Sequence, residues 1–485
     1  MKLLKDMLFG VPIETVSGST LIEISDVTFD SRDVKKNVLF VAIKGTTHDG
    51  HAHIADAIQK GATAVLCEEL PASRENGVTY VSCINSRRAL ATVANHWYDH
   101  PSAELKLVGV TGTNGKTSVA TMAYQLFHHM GYTTGLLSTV EIRIGNSILP
   151  STHTTPDALS INKILRQMVD DGVTHCFMEV SSHGIDQDRV YDVQFSGGVF
   201  TNLSHDHLDY HKDFKTYRDT KKRFFDCLPK EAFALSNADD KNGSFMLQNT
   251  KATKQFFGMK SMADFHVKVL ETSFSGMLLK LQHDEVWSPL VGAFNAANFV
   301  CVYAIGALLD IDKTELLPVL SMIKGAAGRF QTVVTKPVTA IVDYAHTPDA
   351  LTQVLDTIAV LRTRNEKLIT VVGCGGNRDK AKRPLMAKAA VEKSDLAIFT
   401  SDNPRNEDPE EIITEMLTGV SMEVNHKHLT VIDRAQAIKT ACTMAQDQDI
   451  ILVVGKGHET YQEQSGTRYP FDDAAVLEQL LQTKK

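Results

Sequence analysis

The stretch Leu105-Lys106-Leu107-Val108-Gly109-Val110-Thr111-Gly112-Thr113-Asn114-Gly115-Lys116-Thr117 decides the fold. Its first half is a short apolar run, the pattern of a fully buried strand. Its second half is a glycine-rich turn, and a helix is predicted from about Thr117 to Met130, with Gly131 able to end it. Strand, turn and helix in that order make a phosphate cradle. Backbone N–H groups of the turn point at the anion, and the helix N-terminus adds the positive end of its dipole. Gly112, Thr113, Asn114 and Gly115 form the turn, Lys116 is placed for β- and γ-phosphates, and the Thr117 hydroxyl is placed for magnesium. A strict G-x-x-x-x-G-K-[ST] pattern needs glycine at position 110; Val110 stands there, between Gly109 and Gly112. The loop alone says that a nucleotide phosphate binds, and nothing about the reaction.

Outward from the loop, further strand-like runs occur at Cys176 to Val180 and Gly198 to Thr201. This alternation predicts a mainly parallel sheet. Before it lie the short apolar runs Val38 to Ile43 and Ala64 to Cys67, an amphipathic helix from about Ser86 to Tyr98, and a break at His100-Pro101-Ser102. After about Thr332, five apolar runs alternate with helical patterns: Ala340 to Val342, Leu368 to Val372, Leu396 to Phe399, Leu429 to Ile432 and Ile450 to Val454. That spacing predicts a doubly wound Rossmann-like domain. No G-x-G-x-x-G follows its first strand, so a bound dinucleotide is not indicated. At 485 residues the chain exceeds what one core usually supports. The expectation is an α/β protein of three domains, 1–103, 104–331 and 332–485.

Composition narrows the class. An apolar fraction of 43% and a charged fraction of 22% are those of an ordinary globular protein. The net charge of −8 argues against a nucleic-acid partner, which calls for a basic excess. Seven cysteines are scattered with no C-x-x-C pair, which fits a reducing compartment. Lys5 and Asp6 interrupt the N-terminal leucines before a signal peptide can build, and no run is long enough to span a membrane. A cytoplasmic location is expected.

Two acidic and histidine-rich segments follow the loop in sequence. Glu179 ends a predicted strand, where α/β sheets place their ligands, and could hold a second metal ion or orient the first. Three histidines and two aspartates fall between His205 and His211. Histidine density admits zinc, but there is no H-E-x-x-H and no cysteine pair. Beside a phosphate loop, magnesium is the expected ion. On composition alone, Lys221 and Lys222 read as a basic helix face.

These segments also carry a resemblance. GVTGTNGKT (109–117), EVSSHG (179–184), TNLSHDHLDYH (201–211), YRDTK (217–221), GAFNAAN (292–298), AGRFQ (327–331) and VDYAHTPDAL (342–351) stand in the order found in Mur ligases, over nearly the whole chain. The resemblance implies a UDP-binding first domain, a central ATPase domain and a Rossmann-like third domain. It implies that Lys116 and Thr117 serve ATP and magnesium, and that Glu179 and His207 are metal ligands. Lys221 matches a lysine that the family carbamylates, which turns an ammonium into a carboxylate-like metal ligand. Carbamylation requires a neutral amine first, which burial would favour. By the same resemblance Asn298 and Arg329 contact the nucleotide, Asp343 the ribose and Ser31, in Asp30-Ser31-Arg32, the uridine side. Thr154, Thr155, Ser181, Gln187 and Arg189 match residues that hold the muramoyl peptide; His153 stands where the family often has asparagine.

The amino-acid pocket discriminates within the family. Asp402-Asn403-Pro404-Arg405 matches the motif of the diaminopimelate-adding members, and Arg378, Gly455 and Glu459 match further contacts to that amino acid. Diaminopimelate carries a second carboxylate that lysine lacks. An arginine fork binds a carboxylate through two parallel bonds, each charge-assisted bond contributing about 1.5–3 kcal/mol. The implied reaction is ATP-dependent addition of meso-diaminopimelate to UDP-MurNAc-L-Ala-D-Glu, for peptidoglycan, through an acyl phosphate. The expected partners are these small molecules, with no nucleic acid and no membrane, and the chain is expected to act as a monomer. Because the ligands come from different domains, closure on binding is expected. Folylpolyglutamate synthase shares the last two domains but lacks a UDP-binding first domain and has no need of Asp402 to Arg405. A switch GTPase would show N-K-x-D, which is absent.

Overall fold

The computed structural model describes residues 1–45, 48–334, 336–363 and 365–482. The largest element is an eleven-stranded sheet. Its middle is parallel and runs in the order Thr134–Leu137, His175–Glu179, Lys106–Thr111, Gly197–Phe200, Phe233–Asn237, Thr253–Gly258, Phe265–Ser273. Antiparallel strands extend both edges: Glu141–Ile144 and Ser147–Pro150 on one side, Gly276–Leu281 and Asp284–Ser288 on the other. These edges are absent from the sequence expectation.

The middle strands are buried on both faces, which is why they read as continuous apolar runs. Side chains alternate between two cores. Val108, Val110, Phe177 and Val199 join the helices Lys116–His129 and Ala293–Leu308 on one face. Leu107, Cys176, Met178 and Phe200 join Phe224 and Phe225 of the helix Phe214–Asp226 on the other. That last helix starts where Asp213 accepts from the Thr216 N–H, a side-chain cap satisfying one of the free amides of the first turn.

The first sheet orders Ile13–Ser17, Thr79–Cys83, Ala62–Cys67, Val38–Val41 and Asp26–Thr28, parallel except at the first pair. The helix Ser86–Trp97, capped by Asn85, packs from this sheet toward the helix Ala158–Asp170 of the central unit. Asn85 and Arg88 reach Asp188, and Asn95 reaches Asp192, across the same joint.

The third sheet has six strands: Gln331–Val334, Thr339–Asp343, Ile450–Val454, Leu368–Val372, Leu396–Phe399 and His428–Thr430. Only its first pair is antiparallel. The last strand to form in sequence lies second among the parallel ones, so the strand order reverses direction beside Asp343. In open α/β sheets the crevice outside the carboxyl ends at such a point is where ligands sit. The third unit packs on the central one through Phe274, Val291 and Phe294, and a Cβ on Gly292 would meet Thr357 at 2.8 Å.

Candidate active site

The phosphate loop is held open by its neighbours. Thr201 donates its hydroxyl to the Asn114 carbonyl at 2.6 Å, and the Asn202 side chain accepts from the Asn114 N–H at 2.9 Å. Gly112 has φ 149° and Gly115 φ 87°, both in the region that favours glycine. Glycine is required twice over at 112, because a Cβ there would lie 1.9 Å from Thr201 Oγ1.

Two lysines converge on one carbonyl. Lys116 Nζ donates to the carbonyls of Gly112 and Thr113 at 2.9 and 2.8 Å, and Lys221 Nζ donates to the Gly112 carbonyl at 2.8 Å. Burial lowers the pKa of Lys116, against the pull of Glu179 and Asp206. The Lys221 amine is pushed well below the ordinary lysine range, first by burial and then by Lys116 beside it. The composition-only reading of Lys221 and Lys222 as a basic helix face is therefore corrected. Both side chains are buried, at 1% and 6% exposure, and Lys222 is paired with Asp226.

Glu179 is fully buried at the end of its strand. One oxygen accepts from the Thr139 N–H at 2.7 Å; the other, Oε2, is buried with no hydrogen-bond partner. A buried carboxylate oxygen without a donor is costly unless a cation or ligand meets it. His207 sits at φ 54°, with Nε2 3.4 Å from Asp206. Burial lowers its pKa to about 4, so the imidazole is neutral and able to bind a cation. Glu179, His207 and the Thr117 hydroxyl thus offer a donor set rich in oxygen that fits magnesium. Among the described residues no three His, Cys, Asp or Glu side chains form a ready-made metal cage.

The residues expected to hold the peptide form one connected network at the rim of this site. Thr139 donates to Thr154, and the Thr155 hydroxyl donates to the Glu179 carbonyl while accepting from the Ser181 N–H. Arg189 donates to the Thr155 carbonyl at 2.6 Å and, through two nitrogens, to Gln187. Gln187 in turn donates to Tyr210. Ser31 stands apart, just after the strand Asp26–Thr28 of the first sheet, its carbonyl bonded to Lys60. His153 is exposed beside Thr152.

On the nucleotide side, Arg329 donates to the Thr117 hydroxyl at 3.3 Å and lies over the Tyr344 ring, while its Nε is buried without a partner. Asn298 lies against Gly115, where a Cβ would be 2.9 Å from its side-chain oxygen. Asp343 accepts from the Phe330 and Ala345 N–H groups, so it fastens the Arg329 segment to the third sheet.

The third cluster lies beyond the carboxyl ends of the third sheet. Arg405, at φ 52°, donates to the Gly376 carbonyl at 2.7 Å, and its N–H bonds the Glu463 carbonyl. Pro404 backs onto Gly376, where a Cβ would meet the Pro404 carbonyl at 1.9 Å. Asn403 donates to Glu459 at 2.7 Å, and Asp402 Oδ2 is buried without a hydrogen bond, 2.4 Å from where a Cβ on Gly455 would stand. Arg378 is exposed on the adjoining loop. Sequence reasoning did not single out Thr139, Asn202, Tyr210 or Lys456. The first three act through hydrogen bonds to residues distant in sequence, which no spacing rule announces.

The Mur ligase middle domain matches residues 110–306, the Mur ligase glutamate ligase domain matches 328–457, and the Mur ligase family catalytic domain matches 23–98. A UDP-N-acetylmuramoyl-L-alanyl-D-glutamate–2,6-diaminopimelate ligase of Cytophaga hutchinsonii is 52% identical over 482 residues, 99% of each chain. The chain belongs to the Mur ligase family. A ligase of the same description from Bacteroides thetaiotaomicron is 48% identical over 479 residues, again 99% of each chain. A solved structure of such a ligase aligns with TM-score 0.71 at 30% identity, covering 100% of this chain and 99% of its own. The two lysines on the Gly112 carbonyl thus lie within the span of the middle-domain match.

Proposed function

We propose that this chain is an ATP-dependent ligase that joins meso-diaminopimelate to UDP-MurNAc-L-Ala-D-Glu. Segment 1–103 holds the nucleotide end of the acceptor, 104–331 binds ATP and the reacting carboxylate, and 332–485 binds the amino acid. One observation carries the reading of the central site. Two buried lysines meet on the Gly112 carbonyl, and Glu179 keeps a buried oxygen with no partner.

A carboxylate does not acylate an amine directly, because oxide is too poor a leaving group. In the proposed reaction an oxygen of the D-glutamate side carboxylate attacks the γ-phosphorus of ATP, and the bond to the β–γ bridging oxygen breaks. The substrate amine then attacks the acyl carbon, loses a proton, and phosphate leaves. The protein positions the reactants and neutralises charge. Lys116 and the turn amides face the phosphates; Arg329 takes the nucleotide through its free Nε. The network of Thr154, Thr155, Ser181, Gln187 and Arg189 orients the peptide carboxylate. Magnesium, held by Thr117, Glu179, His207 and carbamylated Lys221, would offset the charge on the phosphoryl oxygens. The low pKa of Lys221 supports the carbamylation, since the neutral amine is the form that adds carbon dioxide. Arg405 and Arg378 read the distal carboxylate of diaminopimelate, and Gly455 and Glu459 hold its distal amino-acid centre.

Phosphate release from ATP tests this, with UDP-MurNAc-L-Ala-D-Glu as acceptor and meso-diaminopimelate or L-lysine as donor. Turnover with meso-diaminopimelate only is expected. Equal turnover with L-lysine would keep the ligase and refute the role of Arg405. No turnover with either, with magnesium and bicarbonate present, would refute the assignment.

A further inference from the structure

Lys456 is fully buried between the two turns of the amino-acid pocket. Its Nζ donates to Asn403 Oδ1 at 3.0 Å and to Glu459 Oε2 at 3.1 Å, and it lies 5.6 Å from the centre of the Tyr461 ring. Asn403 closes the triangle by donating to the same Glu459 oxygen at 2.7 Å. Asn403 Oδ1 also accepts from the Glu463 N–H, so the strand Tyr461–Gln464 is tied into the knot. Both bonds to Glu459 end on Oε2, and Oε1 accepts from no described residue. We propose that Lys456 is a positioning residue: its buried ammonium ties Glu459 to Asn403 and leaves the second oxygen of Glu459 to accept from the ammonium of the incoming amino acid.

The charges around Glu459 make the lysine necessary. Burial disfavours its ionised form, and Asp402 is a like charge beside it; together they push the carboxyl above the usual range. Lys456 and Asn403 pull in the opposite direction. Arg434, itself bonded to Asp473, and the hydroxyls of Tyr344 and Tyr461 also face it. Arg434 is committed to Asp473 and to the Val454 carbonyl, so it is a poor substitute for Lys456. Without the lysine, Glu459 holds its proton to higher pH and no longer attracts a cation.

The inference rests on the reading of Glu459 as the grip on the amino-acid centre. The test is a double-mutant cycle of K456M, E459Q and the pair, following the KM of each substrate. K456M is expected to raise the KM for meso-diaminopimelate about tenfold to a hundredfold, the effect of one charge-assisted bond. The KM values for ATP and for the UDP-linked dipeptide should move less than about twofold. Adding K456M to E459Q should change little, because the lysine acts through that carboxylate. In K456M the KM for the amino acid should also fall as pH rises, as Glu459 ionises, and this fall should come at higher pH than in the unmutated protein. Additive effects, or equal rises in all three KM values, would overturn the proposal. Should K456M fail to fold, K456Q keeps a donor without the charge and must show the same pH dependence. The unmutated protein is assayed first with both donors. A preference for L-lysine would refute the reading of Arg405 and leave the cycle to be run on L-lysine.

Discussion

Lys221 shows how one residue is tuned at the expense of the fold. A buried amine beside a second cation is unfavourable in its charged form, and the helix tolerates it because Gly112 offers a carbonyl at 2.8 Å. That carbonyl is also bonded by Lys116, so removing Lys221 orphans nothing there. K221M should therefore raise stability at neutral pH, by about 1–4 kcal/mol, while lowering ligase turnover more than about a hundredfold. The sign with pH follows from linkage. The folded state disfavours the protonated amine, whereas the unfolded chain protonates it up to its ordinary value of 10.5. The unmutated protein thus gains stability as pH rises toward that value, and the advantage of K221M shrinks over the same window. Thermal melts at several pH values in bicarbonate-free buffer check this. A K221M protein less stable than its parent at pH 7 would refute the account.

At the scale of elements, the phosphate loop and the parallel strands were legible in sequence, because their residues are buried on both faces and leave unbroken apolar runs. Leu368–Val372 and Ile450–Val454 have the predicted limits for that reason. The antiparallel edges, Glu141–Ile144 with Ser147–Pro150 and Gly276–Leu281 with Asp284–Ser288, were not legible. They are short, at four to six residues each, and three of the four are partly or wholly exposed, so they carry no long apolar signal. In the site, the positions of Lys116 and Glu179 followed from the strand ends that carry them. The Thr139 bond to Glu179 and the Lys456 knot did not, since each joins segments far apart in sequence. The loop itself yields an element-scale prediction. G112A places a methyl group 1.9 Å from the Thr201 oxygen that pins Asn114. Thr201 must move, and the turn loses its support. The expected result is destabilisation by about 1–3 kcal/mol and a rise of more than about tenfold in the KM for ATP. Unchanged ATP kinetics in a folded G112A protein would refute the role assigned to this turn.

At the scale of the whole molecule, the segment Gly328 to Phe330 couples the ATP loop to the third sheet. Gly328 packs on the Gly457–His458 backbone so closely that a Cβ would stand 2.1 Å from the His458 nitrogen. Phe330 is bonded to Asp343, and Arg329 between them spans from the Tyr344 ring of the third unit to Thr117 of the central one. One arginine therefore touches both the glycine-rich loop's helix and the third unit. Its partnerless Nε is the group that a bound nucleotide would satisfy. Ligand that binds the folded state stabilises it in proportion to its affinity there. A non-hydrolysable ATP analogue at saturation should thus raise the melting temperature of the unmutated protein by several degrees, of the order expected for about 2–3 kcal/mol. R329A should lose more than half of that rise and increase the KM for ATP about tenfold. The KM for the amino acid should rise with it, because the third unit is then no longer drawn onto the loaded loop. A loss confined to ATP would show that Arg329 binds the nucleotide without coupling the two units. A full nucleotide-induced rise in R329A would refute both roles.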